Sequence, residues 1–361
     1  MNKQHASPRF RFVAGAALLT GLALLVPALR EGDPRLYLLA AICPVGMLIS
    51  LCFFPRMFSI DRMVFSLTVY LSMIPVIMLA PLHPEEAISG SLRCVAGIGF
   101  LLAGASLSRF FTSSLLTGLL SGFLGLLALL IPFLDPVFPH AVAGAALVLL
   151  TVCVSAFLSI KDGTSALIPA FSGLVLILLQ GNPAEAVVFY LLFSFLLWSA
   201  GNKTLWVFPL LGAALILPVF FSPSSLPFAQ VSPSEPSSFS ILHPGGSLYA
   251  FHESYGLIFS GLSFMLYLPL ILRGMFIASV ARSRFHAFLA KGCALWLAIR
   301  VMASLLCAFE LLPVSFPFLP LMTASPTDFC AAFFALGLIG GISGRNEKDL
   351  AEDAHLAMLS R

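Results

Sequence analysis

The chain reads as a series of apolar runs of about 14 to 24 residues separated by short polar breaks. The runs extend over residues 13–29, 36–54, 63–82, 94–107, 112–134, 141–160, 164–179, 184–200 and 205–221. After one long polar interruption come 254–272, 286–309 and 327–343. Most are close to the length a helix needs to cross roughly 30 Å of hydrocarbon, and none alternates with the period of two that a membrane β-barrel requires. The pattern predicts an all-α integral membrane protein, a polytopic bundle of about 12 transmembrane helices.

The interruption, Ser222 to His252, contains five prolines and nine serines and neither lysine nor arginine. Proline and serine at this density cannot build a packed core and argue against a regular helix. A loop of this length serves as a lid, a binding surface or a spacer.

Composition agrees with the pattern. Hydrophobic residues make up 59% of the 361, charged residues 10%, and mean hydropathy is +1.02, far from the roughly one-quarter charged residues of soluble domains. A formal charge of +3 gives no reason to expect nucleic acid as a partner. The seven cysteines show neither CxxC nor metal-ligand spacing and fall almost entirely in apolar runs, where they read as small core residues.

Charge placement gives orientation. Lys3, Arg9 and Arg11 precede the first run, which lacks a small-x-small cleavage site and so reads as a signal anchor with its start in the cytoplasm. Twelve crossings return the C-terminus to the same side. Fifteen of the 19 basic residues then lie inside, Arg30, Arg35 and Arg93 lie outside, and Arg300 falls within a run. This bias meets the positive-inside rule and puts the 222–252 loop outside. No internal repeat supports the inverted-repeat plan of many transporters.

Ionisable groups in or beside hydrocarbon are functional candidates by default. Glu253, next to His252, opens the run after the loop. It is either a carboxylate at a helix N-terminus or a general base or cation ligand at the outer boundary. Arg300 lies about 14 residues, roughly 21 Å, beyond His286 along one helix, where it holds an anionic phosphate or bonds a neighbouring helix. Glu310 precedes Pro313, Pro317 and Pro320, which stop the helix and force an irregular re-entrant or surface segment. Ser325, Pro326 and Asp328 form a standard helix start. Asp162 fits turn chemistry, and His140 a solvated helix start.

The last third resembles the FtsW/RodA/SpoVE (SEDS) family of bacterial cell division and elongation. Glu253 and Gly256 match an EELG-like helix start. Arg273, Gly274, Ile277, Ala278, Ala281, Phe285, Leu289, Ala290 and Gly292 match the following cytoplasmic pattern. Leu312, Pro313, Val314, Leu319 and Pro320 keep their places in LLPVSFPFLP, and Gly163 and Thr164 resemble the end of the family's QPDLGTA. The resemblance covers residues 62–345. It implies a SEDS-like membrane domain over 55–345, a two-helix N-terminal addition over 1–54 and a cytoplasmic tail over 346–361.

By that resemblance the chain is a peptidoglycan glycosyltransferase. It would polymerise lipid II, the undecaprenyl-diphosphate-linked precursor, at the outer face of the bacterial cytoplasmic membrane, beside a class B penicillin-binding protein and among membrane lipids. Glu253 and His252 would be catalytic; Arg93, Arg300, Glu310, Pro313 and Pro320 would bind substrate. An arginine near the outer boundary or a divalent cation would steady the leaving diphosphate. The family's essential aspartate falls on Gly245, and no aspartate occurs in 222–252. Its penultimate-helix Gln and Asn become Arg300 and Ser304. Two further readings therefore stand beside the enzyme: a non-catalytic SEDS-like scaffold or precursor-binding protein, and a transporter of lipid-linked saccharide.

Overall fold

A computed structural model of the chain describes residues 8–80, 84–111, 115–134, 143–160, 164–180, 183–221, 261–262, 264–308, 319–322 and 325–359. Residues 261–262 and 264–265 are helical, and twelve α-helices are delimited among the described residues, each overlapping one of the apolar runs. They are α1 Pro8–Glu31, α2 Pro34–Met57, α3 Arg62–Leu79, α4 Pro84–Phe110, α5 Leu115–Leu134, α6 Ala143–Ser159, α7 Leu167–Leu179, α8 Pro183–Ser199, α9 Val207–Phe221, α10 Tyr267–Val280, α11 Arg284–Ala308 and α12 Pro326–Leu359. Short 3₁₀ turns at Thr164–Ala166 and Lys203–Trp206 lead into α7 and α9. No strand occurs among the described residues, and six of the helices are long and apolar enough to cross a membrane.

Local chemistry sets the helix ends. Gly32, at φ 70°, closes α1 by bonding Ala28 O, and Asp33 then caps α2 by accepting from Arg35 N at 2.9 Å, with Pro34 in the first turn. The α4 helix begins ten residues before its apolar run. Pro84 and the acidic pair Glu85 and Glu86 suit a helix N-terminus, although Ser89, Ser91 and Arg93 lower the hydropathy there. The α12 helix continues 13 residues beyond Asn346, where the apolar stretch ends.

The α6 helix is apolar all round and buried from Ala143 to Leu158 almost without interruption, which makes it the centre of the bundle. The α4 and α12 helices pack backbone to backbone. A Cβ on Gly104 would collide with Phe334 O, and one on Gly337 with Leu101 O, so small residues permit the close approach that packing within a membrane favours. Outward-facing leucines and phenylalanines on α5, among them Leu116, Leu119 and Phe123, are exposed to what in a bilayer is hydrocarbon.

Successive helices alternate in direction, so even-numbered helices begin at one end of the bundle and finish at the other. At the finishing end, Asp61 caps α3 by accepting from Met63 N (3.0 Å) and Val64 N (3.1 Å). Its other oxygen accepts from Arg273 Nη2 (2.6 Å) and Nε (3.1 Å) and from Ser343 Oγ (3.1 Å). One carboxylate thus ties α3, α10 and α12 together. Burial alone would raise the Asp61 carboxyl. The Arg273 hydrogen bonds and charge, with the Val64 and Ser343 bonds, outweigh it and hold the group below its ordinary range. At the same end Arg109 donates to Phe58 O, and His286 Nε2 lies 3.2 Å from Ser108 O.

Candidate functional site

The opposite end, where α9 leads into residues 222–260, carries the groups with chemical potential. In the middle of it lies a buried ion pair that joins α11 to α8. Arg300 Nη2 donates to Glu185 Oε1 at 2.7 Å and Oε2 at 2.9 Å. The two side chains are 2% and 4% exposed. Glu185 stands in the first turn of α8. The Arg300 guanidinium lies over the Trp296 ring, 5.3 Å from its centroid, and its Nε makes no hydrogen bond among the described residues.

Asp328, in the first turn of α12, is buried and adds its negative field to that of Glu185. Its Oδ1 lies so close to α6 that a Cβ on Gly144 would collide with it. Four helices, α6, α8, α11 and α12, therefore meet around two carboxylates and one guanidinium. Ser304, about one turn beyond Arg300 on α11, is buried with them. Taking these charges out of water is costly and is offset only by close, hydrogen-bonded pairing, which the two short Arg300 bonds provide.

Arg93 lies elsewhere. Its Nε is 3.4 Å from Ser89 O, and with Glu86 and Gly90 it lines a cleft of about 30 Å³ whose other wall is Met322 and Phe329. That is room for at least one water molecule. Pro320 is buried in a tight turn, Leu319 to Met322, in which Leu321 takes the left-handed conformation (φ 68°). Left-handed backbone at a leucine is strained. The turn is held by the Tyr267 hydroxyl, fully buried on α10, which donates to Pro320 O.

The structure thus brings Arg300 together with Glu185 and Asp328, and sets Arg93 against the turn that contains Pro320. Arg93 and Arg300 occupy different helix junctions. Glu253, His252, Glu310 and Pro313 lie outside the described residues, as do Asp162, His140 and the whole of 222–252. Among the described residues no group of three or more His, Cys, Asp or Glu side chains is placed to hold a metal ion.

Glu185 and Asp61 do not stand out in the sequence. Each sits at the lip of an apolar run, where a carboxylate reads as a flank. A signal for Glu185 is present all the same: an acidic residue followed at once by AVVFYLL, inside hydrocarbon by the same rule that marks Arg300.

The geometry defines a polytopic helical membrane protein whose cationic groups gather at one end and whose buried ion pair lies toward the other. Its fold is that of RodA. The Rod shape determining protein RodA of Thermus thermophilus superposes with a TM-score of 0.58 at 20% identity, covering 80% of this chain and 98% of that one. A single-residue variant of the same protein gives 0.57 at 19%, over 79% and 97%. A chain from a structure described as the structural coordination of polymerization and crosslinking by a peptidoglycan synthase complex gives 0.59 at 18%, over 80% and 98%. No curated protein matches the chain by sequence. Residues 248–348 match the family model FtsW/RodA/SpoVE, described as cell cycle protein. The chain thus carries a stretch of that sequence type, residues 248–348, within a fold that is RodA's.

Proposed function

We propose that this chain is a SEDS peptidoglycan glycosyltransferase that extends glycan strands from lipid II at the outer face of the cytoplasmic membrane, in company with a class B penicillin-binding protein. The observation that carries the reading is coverage: 80% of this chain accounts for 98% of RodA, so no large part of that scaffold is missing. The remaining 20% of 361 residues is about 72, against 70 in residues 1–54 plus 346–361. This supports a ten-helix core with α1 and α2 as an addition.

In the proposed reaction an acceptor sugar hydroxyl attacks the anomeric carbon of the donor. The bond from that carbon to the diphosphate oxygen breaks, undecaprenyl diphosphate leaves with the electron pair, and the hydroxyl proton passes to a carboxylate. Glu253, one residue beyond the 222–252 loop and beside His252, is the carboxylate in that place in the sequence. Arg93, at the same end of the bundle, is the cation assigned to the leaving diphosphate. Arg300 has a different role, because its charge is already matched by Glu185; it positions α11 against α8. The cation-rich end, with Arg56, Arg62, Arg109, Arg273, Arg282, Arg284 and Arg345, is assigned to the cytoplasm together with both termini.

One observation favours a second reading, a non-catalytic SEDS protein that binds precursor or partner. The position of the family's penultimate-helix glutamine is filled by an arginine locked to Glu185, and the 222–252 loop has no aspartate. Polymerisation of labelled lipid II by the purified protein, with its transpeptidase partner inactivated, decides between them. Glycan strands that vanish in Glu253→Gln support the enzyme. Their absence, while an active SEDS protein makes them in the same membrane mimic, supports the scaffold.

A further inference from the structure

A membrane-long furrow separates α2 from α3 and α4. It has a volume of about 810 Å³ and runs along α2 from Pro34 to Phe54, about 30 Å at 1.5 Å per residue, which is the thickness of the hydrocarbon layer. Leu38 and Ile42 form one wall, and Val95 and Leu102 on α4 form the other. Gly46 and Gly99 both line it, and a Cβ built on either would meet nothing within 4 Å. The void is therefore real space between helices, open to the bilayer and lined almost wholly by carbon.

Size restricts what fills it. The 810 Å³ falls within the range of small-molecule sites, enough for a hydrocarbon chain.

The mouth restricts the head group. Arg35, in the first turn of α2, lines the furrow and pairs with Glu85 at 3.2 Å, the two side chains being 59% and 86% exposed. Exposed pairs of this kind are weak and open readily to a ligand. Glu86 is exposed beside Glu85, and the Asp33 carboxylate caps the same helix. A cation and a carboxylate side by side at the mouth match a head group that carries both charges better than a purely anionic one. The pair suits a phosphate joined by a short linker to a primary ammonium, with the phosphate on Arg35 and the ammonium on Glu85.

We propose that the furrow between α2 and α3–α4 holds an acyl chain of a zwitterionic aminophospholipid, its phosphate on Arg35 and its ammonium on Glu85, so that one lipid seats the α1–α2 hairpin against the rest of the bundle. The assignment is independent of the catalytic reading.

The test is native mass spectrometry of the full-length chain, delipidated in detergent and offered equal amounts of dioleoyl phosphatidylethanolamine, dioleoyl phosphatidylglycerol, cardiolipin and undecaprenyl phosphate. The phosphatidylethanolamine adduct is expected to dominate. Arg35→Gln should weaken it about twofold to fivefold, the loss of one exposed ion pair, and Glu85→Gln should bring phosphatidylglycerol level with it. Gly46→Leu with Gly99→Leu puts side chains into the furrow where a Cβ has open space and should remove the adduct without lowering the melting temperature of the lipid-free protein. Equal or stronger binding of phosphatidylglycerol, cardiolipin or undecaprenyl phosphate to the unaltered chain would overturn the assignment. So would an adduct that survives the double leucine substitution, which would mark it as ordinary annular lipid.

Discussion

Replacing Glu185 by leucine leaves the Arg300 guanidinium in a site 2% exposed without its partner. Removing one member of a buried pair costs about 3–5 kcal/mol, because the remaining charge stays desolvated. With an unfolding entropy of about 2.1 cal/mol/K per residue, 361 residues give about 0.76 kcal/mol/K, so the melting temperature should fall by about 4–7 °C. The buried thiols of Cys153 and Cys293 provide the assay, since a thiol-reactive fluorophore reaches them only on unfolding. Arg300→Met should lower the melting temperature similarly by leaving Glu185 and Asp328 face to face. The double variant, Glu185→Leu with Arg300→Met, replaces the pair by hydrocarbon and leaves Asp328 buried beside it; it should be less unstable than the sum of the singles, because an apolar replacement of a buried pair is often neutral or stabilising. Additive losses, with the double variant as unstable as the sum of the singles, would refute a direct bond between these residues.

Two further predictions concern the opposite end and the orientation. Asp61 has a carboxyl held below its ordinary range, so its contribution to stability is complete above the unfolded-state value near 4 and is lost as pH falls through the lower folded value. Asp61→Asn should therefore melt below the unaltered protein at pH 7, and the gap should narrow only below about pH 4; a gap that closes between pH 8 and 6 would contradict the Arg273 contact. For orientation, Glu86→Cys should react with an impermeant maleimide on intact cells, above the background of native cysteines, whereas Arg282→Cys, on the exposed turn after α10, should react only after permeabilisation. The reverse pattern would invert the topology.

The helices were legible because each is a local property of an apolar run, and length and hydropathy suffice to mark it. Where a boundary moved, side-chain chemistry had masked it: Glu85 and Glu86 depress hydropathy yet favour a helix start, so α4 begins at Pro84 instead of near Cys94. The contacts between helices were not legible in the same way. Arg300 announced itself as a charge needing a partner, but Glu185 is 115 positions away and Asp61 is 212 from Arg273. No periodicity links such positions. Close packing of α4 on α12 likewise depends on which glycines face each other, and their order along the chain does not reveal that. Asp328 shows the limit from the other side: its place three residues after Ser325 explains a helix start, while its burial against Gly144 and its field at Glu185 arise only from the fold.

The central claim is the proposal that a RodA-like scaffold without an aspartate in residues 222–252 polymerises lipid II through Glu253. It is tested most directly by single-turnover polymerisation with the purified chain and its Glu253→Gln variant, read as glycan strands on a gel. The account predicts strands from the unaltered chain and a loss of about 10²–10⁴-fold in rate for the variant, the usual worth of a general base. Equal strand formation by both proteins, or none by either while an active SEDS protein succeeds alongside, would contradict it.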